Sequence, residues 1–351
     1  MTVINKRLSN ARSGIGLTRQ DKQRGRKQTA FFCAMTTTAI LSFSALAQPL
    51  SQPSTTSDDA DLSTNPMGCH NVSVQILGSG GPELDDGRTS SAYVVWINDS
   101  ARVLVDAGSG SSVQFGAAGA TFESLEVILL SHLHTDHSAD LPSFVKGGYF
   151  TDREKDLIIM GPEGNDIMPS TNTYVSSLIG KNGAFKYLSS YTIEGQDDYA
   201  ISTKSIGATT FEQPFKRNVN DSVSVEAMTV NHGPIPALAW KVKANGCEAV
   251  FSGDTNDKQG NLARFANNAD LLVLHNAIGD DAGQVAKNLH MTSTQIIDIA
   301  AQSNAKQIVL SHIMKRSEPG LDALTEAITV VAEARVYAAE DLMNITLSEQ
   351  E

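Results

Sequence analysis

The sequence has only 3 cysteines and 2 tryptophans in 351 residues, and aromatic residues make up 6% of it. So little cysteine excludes a disulfide-dense scaffold. The apolar run Phe31 to Ala47 falls short of the roughly 20 residues a membrane-spanning helix needs, and Thr36-Thr37-Thr38 interrupts it. Basic residues are the minority charge, 27 Lys and Arg against 39 Asp and Glu, for a net charge of −12; such a surface repels polyanions. What is present is 41% hydrophobic residues. In a chain this long that buries a large core, so the composition is that of a folded protein, neither fibrous nor disordered.

The basic residues are unevenly placed. Eight of them lie in residues 1–30 against the single acid Asp21, and the apolar run follows, ending Ala45-Leu46-Ala47-Gln48. A charged stretch, a short apolar stretch and a small-x-small site describe an export signal, so residues 1–47 are expected to be a signal peptide cut after Ala47, and the mature protein periplasmic or secreted. No paired arginine marks the twin-arginine route. Removing the signal leaves a net charge of −19 and takes Cys33 with it. The remaining Cys69 and Cys247 would then meet an oxidising compartment, as a disulfide or as two buried thiols. Residues 48–68, rich in Ser, Thr, Pro and Asp, have little to bury and read as a flexible linker.

From Cys69 onward the texture is one of short β-rich runs bounded by Gly, Asp and Asn: 72–77, 92–97, 103–105, 127–130, 157–160, 223–230, 238–242, 249–251, 271–274 and 308–310. Helical patterns come between some of them, at 292–303, with Thr292 placed to cap an apolar side of Ile296, Ile297, Ile299 and Ala300, and at 321–334. Hairpins followed by strand-helix alternation predict sheets with helices packed outside them, a layered α/β domain over 69–351. Residues 161–221 are polar and weakly patterned and are expected to form a cap-like insertion. No internal repeat is evident.

Chemistry concentrates after the strand Val127-Ile128-Leu129-Leu130, where Ser131-His132-Leu133-His134-Thr135-Asp136-His137 brings three imidazoles and a carboxylate together at a strand end. His132 and His134 alternate along an extended segment and point one way, while Asp136 and His137 turn toward a neighbouring point, so one loop can serve two adjacent cations. Imidazole with carboxylate suits zinc first, with manganese or iron as alternatives. Two ions need further ligands, and three later strand ends offer His232, Asp254 and His312.

This segment resembles the metallo-β-lactamase superfamily, whose mark is H-x-H-x-D-H, and the order of motifs is most similar to its ribonuclease Z and phosphodiesterase branch. The likeness runs from about Val72 to Leu347. It takes in Leu77-Gly78-Ser79-Gly80-Gly81-Pro82, Val105-Asp106-Ala107-Gly108, the His loop, Asn231-His232-Gly233-Pro234, Ser252-Gly253-Asp254-Thr255 and Leu310-Ser311-His312-Ile313. The resemblance implies a four-layer αββα sandwich with a dimetal site at one edge between the sheets. His132, His134 and His232 would hold one ion, Asp136, His137 and His312 the second, and Asp254 would bridge them. It further implies a hydrolase whose nucleophile is hydroxide generated between two divalent ions, with Asp136 also orienting the water and Asp106 bracing a ligand histidine from behind.

Two positions bear on substrate. His290 matches the family's later His-x-Thr segment and is the candidate general acid, but the glutamate expected to orient it is Asn276 here. His275, at a strand end, reads as structural, and His70 as a surface residue beside Cys69. Export, the acidic charge and the lack of a basic arm argue against RNA as a partner and for a small-molecule substrate, a cyclic nucleotide or an aryl phosphodiester first. A carboxylic ester, lactone or sulfate ester suits the same site, and a non-catalytic metal-holding binding protein is the alternative of another class.

Overall fold

The computed structural model describes residues 68–348. The expected signal peptide and all of the expected linker except Gly68 lie outside the described residues.

Two mixed seven-stranded sheets carry the architecture. The first is built from β1 (Val72–Gly78), β2 (Ala92–Ile97), β3 (Ser100–Val105), β4 (Val127–Leu129), β5 (Leu157–Pro162) and β6 (Ile201–Ile206) in chain order. The second takes β7 (Phe215–Asn218), β8 (Val223–His232), β9 (Ile235–Ala244), β10 (Cys247–Phe251), β11 (Leu271–His275), β12 (Gln307–Ser311) and β13 (Arg335–Ala338). The last strand, β14 (Asn344–Thr346), returns to the first sheet and pairs antiparallel with β1. Each sheet begins as an antiparallel meander and continues as parallel strands.

Local sequence accounts for the meanders. The β2–β3 and β9–β10 hairpins turn through Asn98-Asp99 and Asn245-Gly246, and all four residues have φ between 47° and 75°. Two-residue turns of this kind match the twist of the flanking strands, and Asn, Asp and Gly enter the left-handed region at least cost. The parallel halves need crossovers, supplied by helices such as Leu141–Gly148 and Ser293–Ser303. Thr292 caps the latter as expected, its side chain accepting from the Gln295 amide while Gln295 reaches back to complete a capping box.

The core lies between the sheets and under the helices on either side. Between the sheets lie Val95, Val105 and Leu129 from the first and Val225, Trp240 and Phe251 from the second. Outside the first sheet, Leu104, Ile128 and Ile159 pack on Phe115, Phe144 and Val175 of its helices. Outside the second, Ile296, Ile299 and Ile328 cover the strands. The result is the expected αββα sandwich.

The stretch 161–221 departs from expectation. It contains β6 and β7, edge strands of the two sheets, so it is not an insertion; the helix Thr171–Ile179 and the short turn Lys186–Thr192 pack on the first sheet through Val175, Ile179, Leu188 and Tyr191. Its edge strands are polar because one face or both meet solvent, which hid them from a search for apolar runs. A disulfide joins Cys69 to Cys247, 178 residues apart, so the open choice between a bridge and two thiols falls to the bridge.

Candidate metal centre

On the first sheet's side, β3 and β4 end beside each other and deliver Asp106 and the 131–137 loop to one point. Asp106 is buried, adopts φ 59°, and accepts three hydrogen bonds, from the Ser131 amide (2.6 Å), the Ser131 hydroxyl (2.8 Å) and His137 Nδ1 (2.8 Å). With Nδ1–H donated backward, Nε2 of His137 faces the interior. It has no hydrogen-bond partner there and stands 3.5 Å from Asp136 Oδ2 and 3.7 Å from Asp254 Oδ1. Asp106 thus holds the ring of His137 from the side away from the interior. His132 Nε2 lies 3.0 Å from His134 Nδ1, so the two ring nitrogens converge. Gly108 is required at this turn, since a Cβ there would run into the carbonyl oxygen of Asp136.

The second sheet contributes its groups singly, one per strand end. His232 closes β8 and donates from Nδ1 to the Leu289 carbonyl at 2.8 Å, leaving Nε2 3.4 Å from His134 Nδ1. Asp254 follows β10 and sits centrally: Oδ2 is 3.9 Å from His132 Nε2, 3.7 Å from His232 Nε2 and 3.4 Å from His312 Nε2, and Oδ1 faces His137. His312 follows β12 with φ 54°, and its Nε2 is 3.2 Å from Asp136 Oδ2. The ring lies close against Gly81, where a Cβ would come within 2.8 Å of Cε1.

All seven residues expected as ligands therefore meet, and the groups His132, His134, His232 and Asp136, His137, His312 each bring their donor atoms together tightly enough for one ion. The electrostatics suit cations. Burial pushes the imidazoles of His132, His134 and His232 below their ordinary range, so they are neutral donors. Burial alone would raise Asp136 and Asp254, but the surrounding imidazoles, His137 foremost for Asp136 and His312 for Asp254, outweigh it and hold both well below the usual carboxylate range. At His137 burial is likewise outweighed, by Asp136, Asp254 and Asp106, and the group is raised. Ionised carboxylates around an unpartnered inward nitrogen favour a positive charge at that spot, which is what a divalent ion supplies.

Four further residues were read as near this centre or apart from it. His290 is buried with Nδ1 3.6 Å from Asp254 Oδ2, and burial lowers it to about 3, so the ring is neutral at neutral pH. Asn276 is buried too, but its backbone carbonyl accepts from Ser317 and its side-chain Nδ2 is unpartnered; among the described residues no hydrogen bond joins it to His290. With asparagine in the glutamate's place, nothing at position 276 orients His290. His275, read as structural, belongs to the site: Nδ1 is 2.7 Å from Asp254 Oδ1, and Nε2 is 3.2 Å from the Tyr93 hydroxyl, which itself donates to Ser311. Its position at the end of β11, between the strands that lead to Asp254 and His312, was the signal that could have placed it. His70 lies apart, its ring donating from Nδ1 to the Gly68 carbonyl and its backbone amide to the Asn245 carbonyl.

The β-lactamase superfamily domain model matches residues 101–313, spanning β3 to the residue after His312. The chain belongs to the metallo-β-lactamase superfamily, in its ribonuclease Z and phosphodiesterase-like branch. It is 29% identical over 304 residues to a ribonuclease Z of Methanosarcina mazei, an alignment covering 78% of this chain and 97% of that one. The human short-form tRNase Z shares the fold at a TM-score of 0.60 with 20% identity, covering 79% of this chain and 100% of that one. A diphosphatase of the PhnP family does so at 0.55 with 15% identity, covering 80% and 98%. The names of these metallo-β-lactamase relatives lean against the expectation that RNA is no partner.

Proposed function

We propose that the protein is an exported hydrolase that uses two divalent ions, zinc first, to cleave small phosphodiesters. The observation that carries this reading is the placement of Asp254, within 4 Å of imidazoles from both triads. In this reading His132, His134 and His232 would hold one ion and Asp136, His137 and His312 the other, with Asp254 placed to serve either. Ions held there would supply an acidified water and polarisation of a phosphoryl oxygen.

The chain's own residues do the rest. Asp106 and the Leu289 carbonyl fix the rings of His137 and His232, and His275 fixes the Asp254 carboxylate. Asp136 is ionised and positioned to orient water. His290, kept neutral by burial although its Nδ1 lies 3.6 Å from Asp254 Oδ2, offers a leaving group a hydrogen bond rather than a ready proton. Activated leaving groups are therefore favoured, and this observation also supports a second reading, hydrolysis of an aryl carboxylic ester, a lactone or a sulfate ester. Export is supported by the Cys69–Cys247 bridge, since such bonds persist in oxidising compartments. Small substrates are supported by the acidic charge, and the ribonuclease Z likeness makes RNA the competing substrate to be included in any test.

Elemental analysis of the mature protein, with parallel rates on bis-nitrophenyl phosphate, nitrophenyl acetate, a lactone, nitrophenyl sulfate, cyclic AMP and a precursor transfer RNA, decides among these. About two ions per chain and preference for the phosphodiesters is the expected result. Preference for the other esters moves the substrate to the second reading, and RNA turnover moves it to the relatives' activity. Fewer than one ion with no turnover overturns the enzyme and leaves a metal-holding binding protein.

A further inference from the structure

Beside His134 opens a cleft of about 960 Å³. Its apolar wall includes Ile235, Val285 and Leu289, and its rim carries Lys258 and Lys287. No carboxylate lines it, although the whole chain has 39 acidic residues against 27 basic ones. Neither lysine is in a salt bridge among the described residues. Asp280 lies close enough to feel the charge of Lys287, but its carboxylate is bonded to Thr294 and lies outside the lining.

The cleft is fixed to the metal centre from two directions. Lys258 stands four residues after Asp254, and the intervening Asn256 is buried and donates to the Asn288 carbonyl at 2.7 Å. Lys287 ends the short helix Gln284–Lys287, two residues before the carbonyl that holds His232. Gln295 ties the two segments together by donating to the Asn256 carbonyl at 3.0 Å. From across the cleft Asn165 donates to the Pro234 carbonyl at 2.9 Å, anchoring the far rim. An apolar slot that begins at a ligand-type histidine and ends at two cations can select for one shape of molecule.

We propose that this cleft receives the leaving-group end of the substrate and selects an apolar, aromatic alcohol that carries an anionic group at its far end, with Lys258 and Lys287 facing that anion. The catalytic part of this statement rests on the hydrolase reading above; the binding part does not. The apolar body gains from contact with Ile235, Val285 and Leu289, and the anion gains from two cations at the rim.

The test compares hydroxynaphthalene sulfonate with naphthol, products that share the ring and hydroxyl and differ in the anion, by fluorescence titration of the metal-loaded protein. The sulfonate is expected to bind about tenfold more tightly. The double variant K258E/K287E should lose that preference while binding naphthol as before, and K155E/K204E, with the same net charge change on a remote surface, should keep it. Equal binding of the two probes by the unaltered protein, or a preference that survives K258E/K287E, overturns the proposal; so does its loss in K155E/K204E, which would make it a property of the whole charge. In a second arm, KM for a sulfonated naphthyl phosphodiester should rise about tenfold in K258E/K287E with kcat unchanged, the neutral naphthyl ester being unaffected. No turnover of either ester by the unaltered protein sinks the hydrolase reading and leaves the titration to decide the cleft.

Discussion

The two sheets reach the metal centre in different ways. The first supplies four donors within six residues, 132–137, on one loop whose geometry is set by a single carboxylate, Asp106. The second supplies His232, Asp254 and His312 from three strand ends spread over 81 positions of sequence, held in place by the β10–β11–β12 register and by His275 and Tyr93. One half is a local motif; the other exists only once the sheet has formed. Both halves carry a buried brace, and the braces differ in kind: a carboxylate gripping a loop, and a tyrosine–histidine pair gripping a carboxylate.

Removing a donor from either half should be most damaging. His134→Ala and His312→Ala are each expected to cost on the order of 10³-fold or more in turnover, with metal content falling below two per chain by elemental analysis. If one variant kept both ions, the halves would not be equivalent. The disulfide comes next: reduction should destabilise the fold by about 4 kcal/mol and lower the Tm by on the order of 5–10 °C, read by calorimetry with and without reductant. The braces distinguish the halves more finely. Asp106→Asn should weaken metal affinity about 10–100-fold in a chelator competition, because His137 loses the acceptor that sets its tautomer, and Tyr93→Phe should weaken it less, about threefold to tenfold. The reverse order would show that the strand-borne half is the more delicate.

The smallest effect tests a pair away from the centre. Burial alone would raise Glu248, but its bonds to Lys243 (2.9 Å) and Lys241 (3.2 Å) outweigh this and hold it below the ordinary value. A lowered folded pKa stabilises above the unfolded value and ceases to do so as pH falls through it. Glu248→Gln should therefore cost about 0.5 kcal/mol at pH 7, given the partial exposure of the pair, and the gap from the unaltered protein should close below about pH 4 in urea titrations.

How much was legible in the sequence follows the same division. The loop at 132–137 declared itself, because so many donors crowded at one strand end are costly to bury unless an ion binds them. His232, Asp254 and His312 were found because each follows an apolar strand, and their grouping into two triads came from the family resemblance. His275 was missed since it looks like the end of any buried strand; only its neighbours on β10 and β12 make it part of the site. Buried strands such as β4 and β11 were read to within a residue, whereas β6, β13 and β14 were not, because half-solvated edge strands such as Ile201-Ser202-Thr203-Lys204-Ser205-Ile206 carry little apolar signal. Asn276 stands where the resemblance puts a glutamate, and its side-chain Nδ2 finds no partner, so no bond from it orients His290.

Those same edge strands govern how the molecule behaves in a crowd. A sandwich of two open sheets has four free edges, each a row of unpaired amides and carbonyls able to recruit a foreign strand. Here β14 is three residues long, β13 begins with Arg335, β6 carries Lys204, and β7 is a four-residue strand with Lys216 and Arg217 at its centre. Short length and outward cations make each edge a poor template, so the fold resists strand-to-strand aggregation without closing either sheet into a barrel.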